Sequence, residues 1–439
     1  MITRLVGTVS VSLLLFGLGG CRPTPAPPVT VTVIDPEWSQ PDVLPEAKKQ
    51  SDQFTRATGI RVEHPPTPET SQSQLDLSRK LLRGSRPTPD VFGIDVIWPG
   101  MLGDYLIDLK PYFAAELSAL DPELVAGFTV NGKVVAIPYH ADFGVLAYRT
   151  DLLQAYGYHR PPKTWDELEE MSARIQAGER AKGNADFWGY VWQGAAGEGL
   201  TCNALEWQVS EGGGHVIEND RTVSVNNPSA ILAWQRARHW VGWISPPSVV
   251  AFRETDSMNM WNSGRAAFWR TWQWNYRLTH WNEPAMGDRT GFTSVPGGKG
   301  GRVGTLGGTG LAISRSADHA REAIALVRFL IGQELKSKQD GAAVGSAQQP
   351  ELYDLPQALI SYNRPATTNE ESSGVVVRPS IIIGDAYEEV SRAYAQSVHS
   401  VLTGERSAPE AAAALEKQLI QITGFSAGPP QLHEPPATQ

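Results

Sequence analysis

Cysteine is nearly absent: the 439 residues hold two, Cys21 and Cys202. If Cys21 is taken by an export signal, Cys202 has no partner within the mature chain. No intrachain disulfide is then possible, and packing must stabilise the core. Beyond the N-terminus no apolar run is long enough to span a bilayer. Basic stripes are missing and the formal charge is -9, which argues against nucleic acid as a partner. Enzyme signatures are missing as well. There is no G-x-S-x-G elbow and no H-E-x-x-H. The run GTLGGTG lacks the Lys-Ser/Thr that would grip a nucleotide phosphate and magnesium. Histidines are not paired at zinc spacing, and no EF-hand loop occurs. No cofactor, metal site or fixed-period repeat is expected.

What is present begins at the N-terminus. Arg4 gives a positive start, Leu5 to Leu18 is apolar, and Leu18-Gly19-Gly20-Cys21 follows. That is the secretory pattern. Small residues before a cysteine make the cut lipobox-like, with residues 1–20 as signal peptide and the Cys21 thiol as the acylated N-terminus. Several acyl chains anchor a protein stably to a membrane. Residues 21–28, CRPTPAPP, read as a lipidated cysteine with a Pro-rich, semi-rigid tether. Residues 425–439 read as a disordered tail. The expected location is the outer face of the cell membrane, periplasmic or extracellular.

Between these ends the length suits about two domains. Val29–Ile34, Ile60–His64 and Asp90–Ile94 read as strands. Pro41–Thr58, closed by Gly59, and Leu75–Leu82 read as helices between them. This alternation signals a parallel sheet covered by helices, which binds ligands beyond the carboxyl ends of its strands. Asp95 stands at such an end. Two β-like runs then flank a turn from Pro138 to Asp142, a candidate crossing into a second lobe. Thr164 and Glu167 have the spacing of a capping box. GFTSVP and TLGGTGLAIS read as strands around a Gly-rich turn, and helices are expected over 320–331, 385–402 and 408–422. Cys202, in an apolar helical context, reads as a small core residue.

Tryptophan is abundant, with fourteen, and many of them crowd between Trp234 and Trp281. Core packing and ligand stacking both use such residues. A sugar presents hydroxyls at its edge and C–H patches on its faces. Aromatic rings match the faces, carboxylates accept hydroxyl protons, and Arg donates in a fixed fork. Asp95, Asp142, Trp272, Trp274 and Arg378 form that set. Gly307 and Gly308 would let backbone approach a ligand. His140 reads as a hydrogen-bonding or surface histidine. Nothing in the sequence places two carboxylates at the separation glycoside hydrolysis needs.

Several segments in order carry a resemblance. They include DVFGIDVIWPG, GKVVAIPYHADFGVLAYRTDLL, PPKTWDELEEM, VNNPSAILAWQRARHWVG, TLGGTGLAIS and VRPS. The chain resembles the family 1 extracellular solute-binding proteins, the receptors of carbohydrate ABC importers, and within them the trehalose/maltose-binding branch. The resemblance implies the α/β, two-lobed periplasmic-binding-protein fold of class II type, with the ligand cleft between lobes. Lobe 1 would comprise 29–140 and 306–332, lobe 2 141–305 and 333–424. It implies a non-enzymatic monomer that hands a sugar, such as trehalose or maltose, to permease subunits with a cytoplasmic ATPase. It also implies site roles. Asp95 and Asp142 would bond sugar hydroxyls, and Trp272 and Trp274 would stack. Gly307 and Gly308 would offer backbone, Arg378 would clamp hydroxyls, and Glu37 would make an early acidic contact. Disaccharide binders of the branch often carry arginine before the helix ending in LLRG. Here Ser73 and Gln74 stand there, and the Gln74 amide would replace a charged donor. A lipid-anchored glycoside hydrolase, or a same-fold receptor for an oligosaccharide or polyol, are the alternatives.

Overall fold

The computed structural model describes residues 28–39, 43–68, 71–84, 87–120, 122–275, 284–339 and 374–431. The leader, Cys21, most of the tether, residues 340–373 of the expected lobe 2 and the last residues from 432 lie outside the described residues.

Strand β1 (Thr30–Ile34) buries Val31 and Val33, as its alternation demands. The helix Leu44–Thr58 ends at Gly59, whose positive φ of 76° lets its N–H return to the Thr55 carbonyl. Strands β2 (Arg61–Glu63) and β3 (Val91–Asp95) flank β1 in parallel, with helix Ser71–Arg83 between them in sequence. A short hairpin, β4 (Thr129–Val130) and β5 (Lys133–Val134), leads into β6 (Ala136–Arg149). After it come β7 (Trp188–Val191), β8 (Thr222–Val223), β9 (Ala266–Trp272), β10 (Thr290–Ser294) and β11 (Val303–Ile313). Strands β12 (Gly374–Val376) and β13 (Ser426–Ala427) close the chain.

The main sheet runs β2-β1-β3-β11-β6-β9-β7, with β10 on β6 and β12 on β11. Its two longest strands decide the architecture. The C-terminal half of β11 pairs with β3, and its start pairs with β12. The C-terminal half of β6 pairs with β9 and β10. Residues Leu306–Ala312 and Ala136–Phe143 pair the two strands with each other. Each of them therefore belongs to both ends of the molecule.

Core packing divides the same way. Val31, Phe54, Ile137, Leu311 and Leu330 pack together on one side, with Phe92, Ile94 and Leu102 in an adjoining cluster. On the other side a larger core gathers Leu146, Trp165, Trp207, Trp240, Tyr394 and Leu415. Five of the fourteen tryptophans are buried here. Trp192, Trp207, Trp234 and Trp240 are fully buried, and Trp207 meets Trp192 and Trp240 edge to face at 5.0 and 5.5 Å. Trp281 lies outside the described residues.

Three expectations are corrected. Asp142 is not in a turn: it lies in the middle of β6. Apolar residues on both flanks are buried, so the polar residues between them interrupt burial without interrupting the strand. Gly307 and Gly308 also lie within a strand, β11, where Gly307 pairs opposite Asp142. Gly308 has φ 110°, and a Cβ there would sit 2.2 Å from the His140 carbonyl oxygen. The glycine thus bends β11 against β6, and the register shifts between Thr309 and Gly310. Finally, the tail expected from 425 is partly folded. Ser426–Ala427 pair in parallel with β8, and the Gly428 N–H donates to Val223 O. Cys202 is buried in helix Glu198–Ser210, as its apolar setting suggests.

Candidate functional site

The carboxyl ends of β1 and β3 meet the middle of β6 and β11. Immediately after β1, the buried Asp35 carboxylate accepts the backbone N–H of Glu37 at 2.8 Å and of Trp38 at 3.3 Å. This sets the turn that carries Glu37. The Glu37 carboxylate lies 2.6 Å from His140 Nδ1 on β6, and both side chains are about three-quarters buried. The His140 ring faces Trp274 at a centroid distance of 6.2 Å.

Asp142 follows two residues along β6. Its Oδ1 accepts N–H groups from Phe143 at 2.9 Å and Trp274 at 3.2 Å. It thereby fixes the loop after β9. Burial pushes the Asp142 carboxyl up to about 7, and these two N–H groups oppose the rise. Asp35 is likewise raised to about 7 by burial and then by the Glu37 carboxylate. At the end of β3, Asp95 accepts the Ile97 N–H at 3.1 Å, and burial raises its carboxyl despite the nearby Arg378.

Trp272, the last residue of β9, is half-buried. A Cβ on Gly307 would sit 2.8 Å from its Cζ3, so the missing side chain is what admits the ring. The Arg270 guanidinium lies 4.3 Å from the Trp272 ring centroid. Arg270 is fully buried and paired with Glu206, which is fully buried too. Glu206 also accepts the Thr305 N–H of β11 at 3.0 Å. The Trp272 ring is therefore held by a charged network that ties β9 to β11.

Arg378 is nearly buried. It donates to Glu198 at 2.8 Å and to the Leu306 carbonyl at 2.9 Å, with Asp95 at 3.9 Å. Glu198 additionally accepts from Tyr387 and Ser391 hydroxyls. Eight of the nine expected positions, Glu37, Asp95, Asp142, Trp272, Trp274, Gly307, Gly308 and Arg378, thus fall into one connected region. Gln74 is turned elsewhere, donating to the Pro68 carbonyl at 2.8 Å. Among the described residues no group of three His, Cys, Asp or Glu is arranged to hold a metal, and no helix is long and apolar enough to cross a membrane.

The family pattern described as bacterial extracellular solute-binding protein matches residues 38–336. The chain belongs to that family. This solute-binding protein is 38% identical over 381 residues to a "Probable ABC transporter-binding protein" of Deinococcus radiodurans, covering 86% of this chain and 90% of that one. The maltose-bound MalE3 of T. maritima superposes with a TM-score of 0.74 at 30% identity, over 90% of this chain and all of that one. A tagatose-bound solute-binding protein from Thermotoga lettingae shares the fold with a TM-score of 0.75 at 20% identity, over 90% and 100% of the chains. The fold of this solute-binding protein is the two-lobed α/β one.

Sequence reasoning left four residues of this solute-binding protein out of the site. His140 was read as a surface or hydrogen-bonding residue, and it is the partner of Glu37. Asp35 directly follows β1, much as Asp95 closes β3, and that similar position was the available signal. Arg270 and Glu206 gave none. A buried ion pair between a strand and a helix is visible only once both are placed.

Proposed function

We propose that this protein is the sugar receptor of an ABC importer, with its ligand held between the two lobes at the β6–β11 crossing. One observation carries the reading: a half-buried tryptophan face, Trp272, lies on the side-chain-free Gly307 directly opposite the Asp142 carboxylate. An aromatic face beside a fixed carboxylate matches the C–H face and hydroxyl edge of a sugar ring. Glu37 with His140, Asp95, Trp274 and the Gly308 backbone extend the contact surface. Arg378, bound to Glu198, positions Asp95 and lends its remaining donors to the ligand. Lobe 1 comprises 29–140 and 306–332, lobe 2 141–305 and 333–424, and β6 and β11 form the hinge. The maltose carried by the similar T. maritima protein supports a disaccharide such as maltose or trehalose. Gln74 would reach such a ligand only by leaving Pro68.

Export by residues 1–20 and acylation of Cys21 would tether the receptor at the membrane, where permease and ATPase subunits take the sugar across. A thermal-shift screen of the mature protein tests the reading. Maltose, trehalose and monosaccharides at millimolar concentration should include one that raises the melting temperature by mass action. Asp142→Ala and Trp272→Ala should each abolish that shift. Retention of the shift in both variants would place the ligand elsewhere.

A further inference from the structure

One acidic contact of the cleft, Glu37, depends on a residue that does not face it. Asp35 is 2% exposed. Its Oδ1 takes the N–H groups of both Glu37 and Trp38, and Ser39 Oγ donates to its carbonyl at 3.2 Å. Two residues of the turn are therefore tied to the Asp35 side chain, and a third to its main-chain carbonyl. Oδ2 is buried and accepts no hydrogen bond. It lies over Gly93 of the neighbouring β3, where a Cβ would stand 2.4 Å from it. A glycine in a strand interior weakens the strand unless something approaches closely, and here the Asp35 carboxylate does. Trp38, locked by the same carboxylate, packs edge-on against Tyr139, and the Tyr139 ring lies 4.0 Å from that of His140. The same side chain thus fixes both the turn that carries Glu37 and the ring packed beside its partner His140.

We propose that Asp35 is the positioning residue of the cleft: seated in the notch left by Gly93, it holds the Glu37 carboxylate against His140 and so sets the acidic contact offered to the ligand. The proposal rests on the reading of Glu37 and His140 as ligand contacts. Asp35 does not touch the ligand itself. Burial raises its carboxyl, so the group spends much of its time protonated near neutral pH. An asparagine, which keeps the Oδ1 acceptor, is then a close substitute. An alanine is not.

The test reads the pair before any sugar is added. The imidazole nitrogen signals of His140 are recorded by NMR in the ligand-free mature protein and assigned with His140→Gln. Glu37→Ala, which leaves no acceptor at that side chain, supplies the signature of His140 parted from the Glu37 carboxylate. Asp35→Ala and Gly93→Ala should move the His140 signals to that signature, while Asp35→Asn should keep them at the wild-type position. With maltose as probe, Asp35→Ala should weaken binding by about 10-fold, the scale of one lost hydrogen-bonded contact, and Asp35→Asn should recover most of that loss. Unchanged His140 signals in Asp35→Ala, whatever its melting temperature, would overturn the proposal. If Asp35→Ala fails to fold, Gly93→Ala carries the same comparison. If Glu37→Ala binds maltose like the wild type, the ligand-contact reading fails, while the NMR signals still decide whether Asp35 positions the pair.

Discussion

Arg270 lies with its guanidinium 4.3 Å from the Trp272 ring centroid and its Nη2 2.5 Å from Glu206 Oε1, with neither partner of the ion pair reaching solvent. Two buried charges gain little over an apolar pair, but removing one leaves the other unpaired in low dielectric. Arg270→Met alone or Glu206→Leu alone should cost about 3–5 kcal/mol of unfolding free energy. The double variant Arg270→Met/Glu206→Leu should cost less than the two singles added together. Denaturant unfolding of the four proteins measures this. Additive losses would mean that the pair is not a coupled unit.

Gly307 makes a sharper prediction, because the perturbation is one methyl group. Gly307→Ala places a Cβ 2.8 Å from Trp272 Cζ3, inside van der Waals contact, so the ring must tilt. Sugar affinity should fall by ~10-fold, which corresponds to about 1.4 kcal/mol. The fold should stay intact by circular dichroism, and the ligand-induced change in tryptophan fluorescence should shrink. Wild-type calorimetric affinity would remove Trp272 from the site.

The raised carboxyls give the pH dependence a definite sign. Asp142 and Asp35 titrate near 7 in the folded protein against 3.8 for the ordinary group. Between those values the folded state binds more protons than the unfolded one, so stability falls as pH rises through this window. Asp142→Asn removes one of the two groups and should flatten that decline, giving a higher melting temperature than wild type near pH 8. Ligand binding runs the other way. A sugar hydroxyl donating to Asp142 favours the ionised carboxylate, so binding should release protons and tighten from about pH 6 to 8. Calorimetry in buffers of different ionisation enthalpy counts the protons. Proton uptake on binding would contradict the assignment.

Cys202 should be inert. Its thiol is 1% exposed, and burial pushes it up to about 12. An aromatic disulfide reagent should leave it unmodified in the native protein and titrate one thiol after denaturation. Fast labelling of the native mature protein would show that helix Glu198–Ser210 opens locally.

Strong local signals are legible in the sequence. The helix stop at Gly59 and the N-cap at Thr164, which accepts the Glu167 N–H at 3.2 Å, are set by nearest neighbours. The parallel pairing of β1, β2 and β3 followed from alternation of strand and helix, whereas their order, β2-β1-β3, did not. What the residues alone misplaced was the crossing. Local reading takes His140-Ala141-Asp142 as a break, whereas the ladder between β6 and β11 keeps the chain extended through it. Gly307-Gly308 looked like a turn for the same reason. Pairing of strands over 160 residues apart in sequence overrides local preference. The family resemblance named residues that the structure brings together around the β6–β11 crossing. It could not show that Arg378 is occupied by Glu198, or that Asp35 and Arg270 sit beneath the contact surface.

Isothermal titration of the mature protein with maltose and trehalose, followed by chromatographic analysis of the recovered sugar, tests the central claim most directly. The account predicts saturable one-to-one binding of at least one sugar, recovered intact after prolonged incubation, and loss of the heat signal in Trp272→Ala. Heat-silent titrations across mono- and disaccharides at millimolar concentration, or recovery of a cleaved sugar, would contradict it.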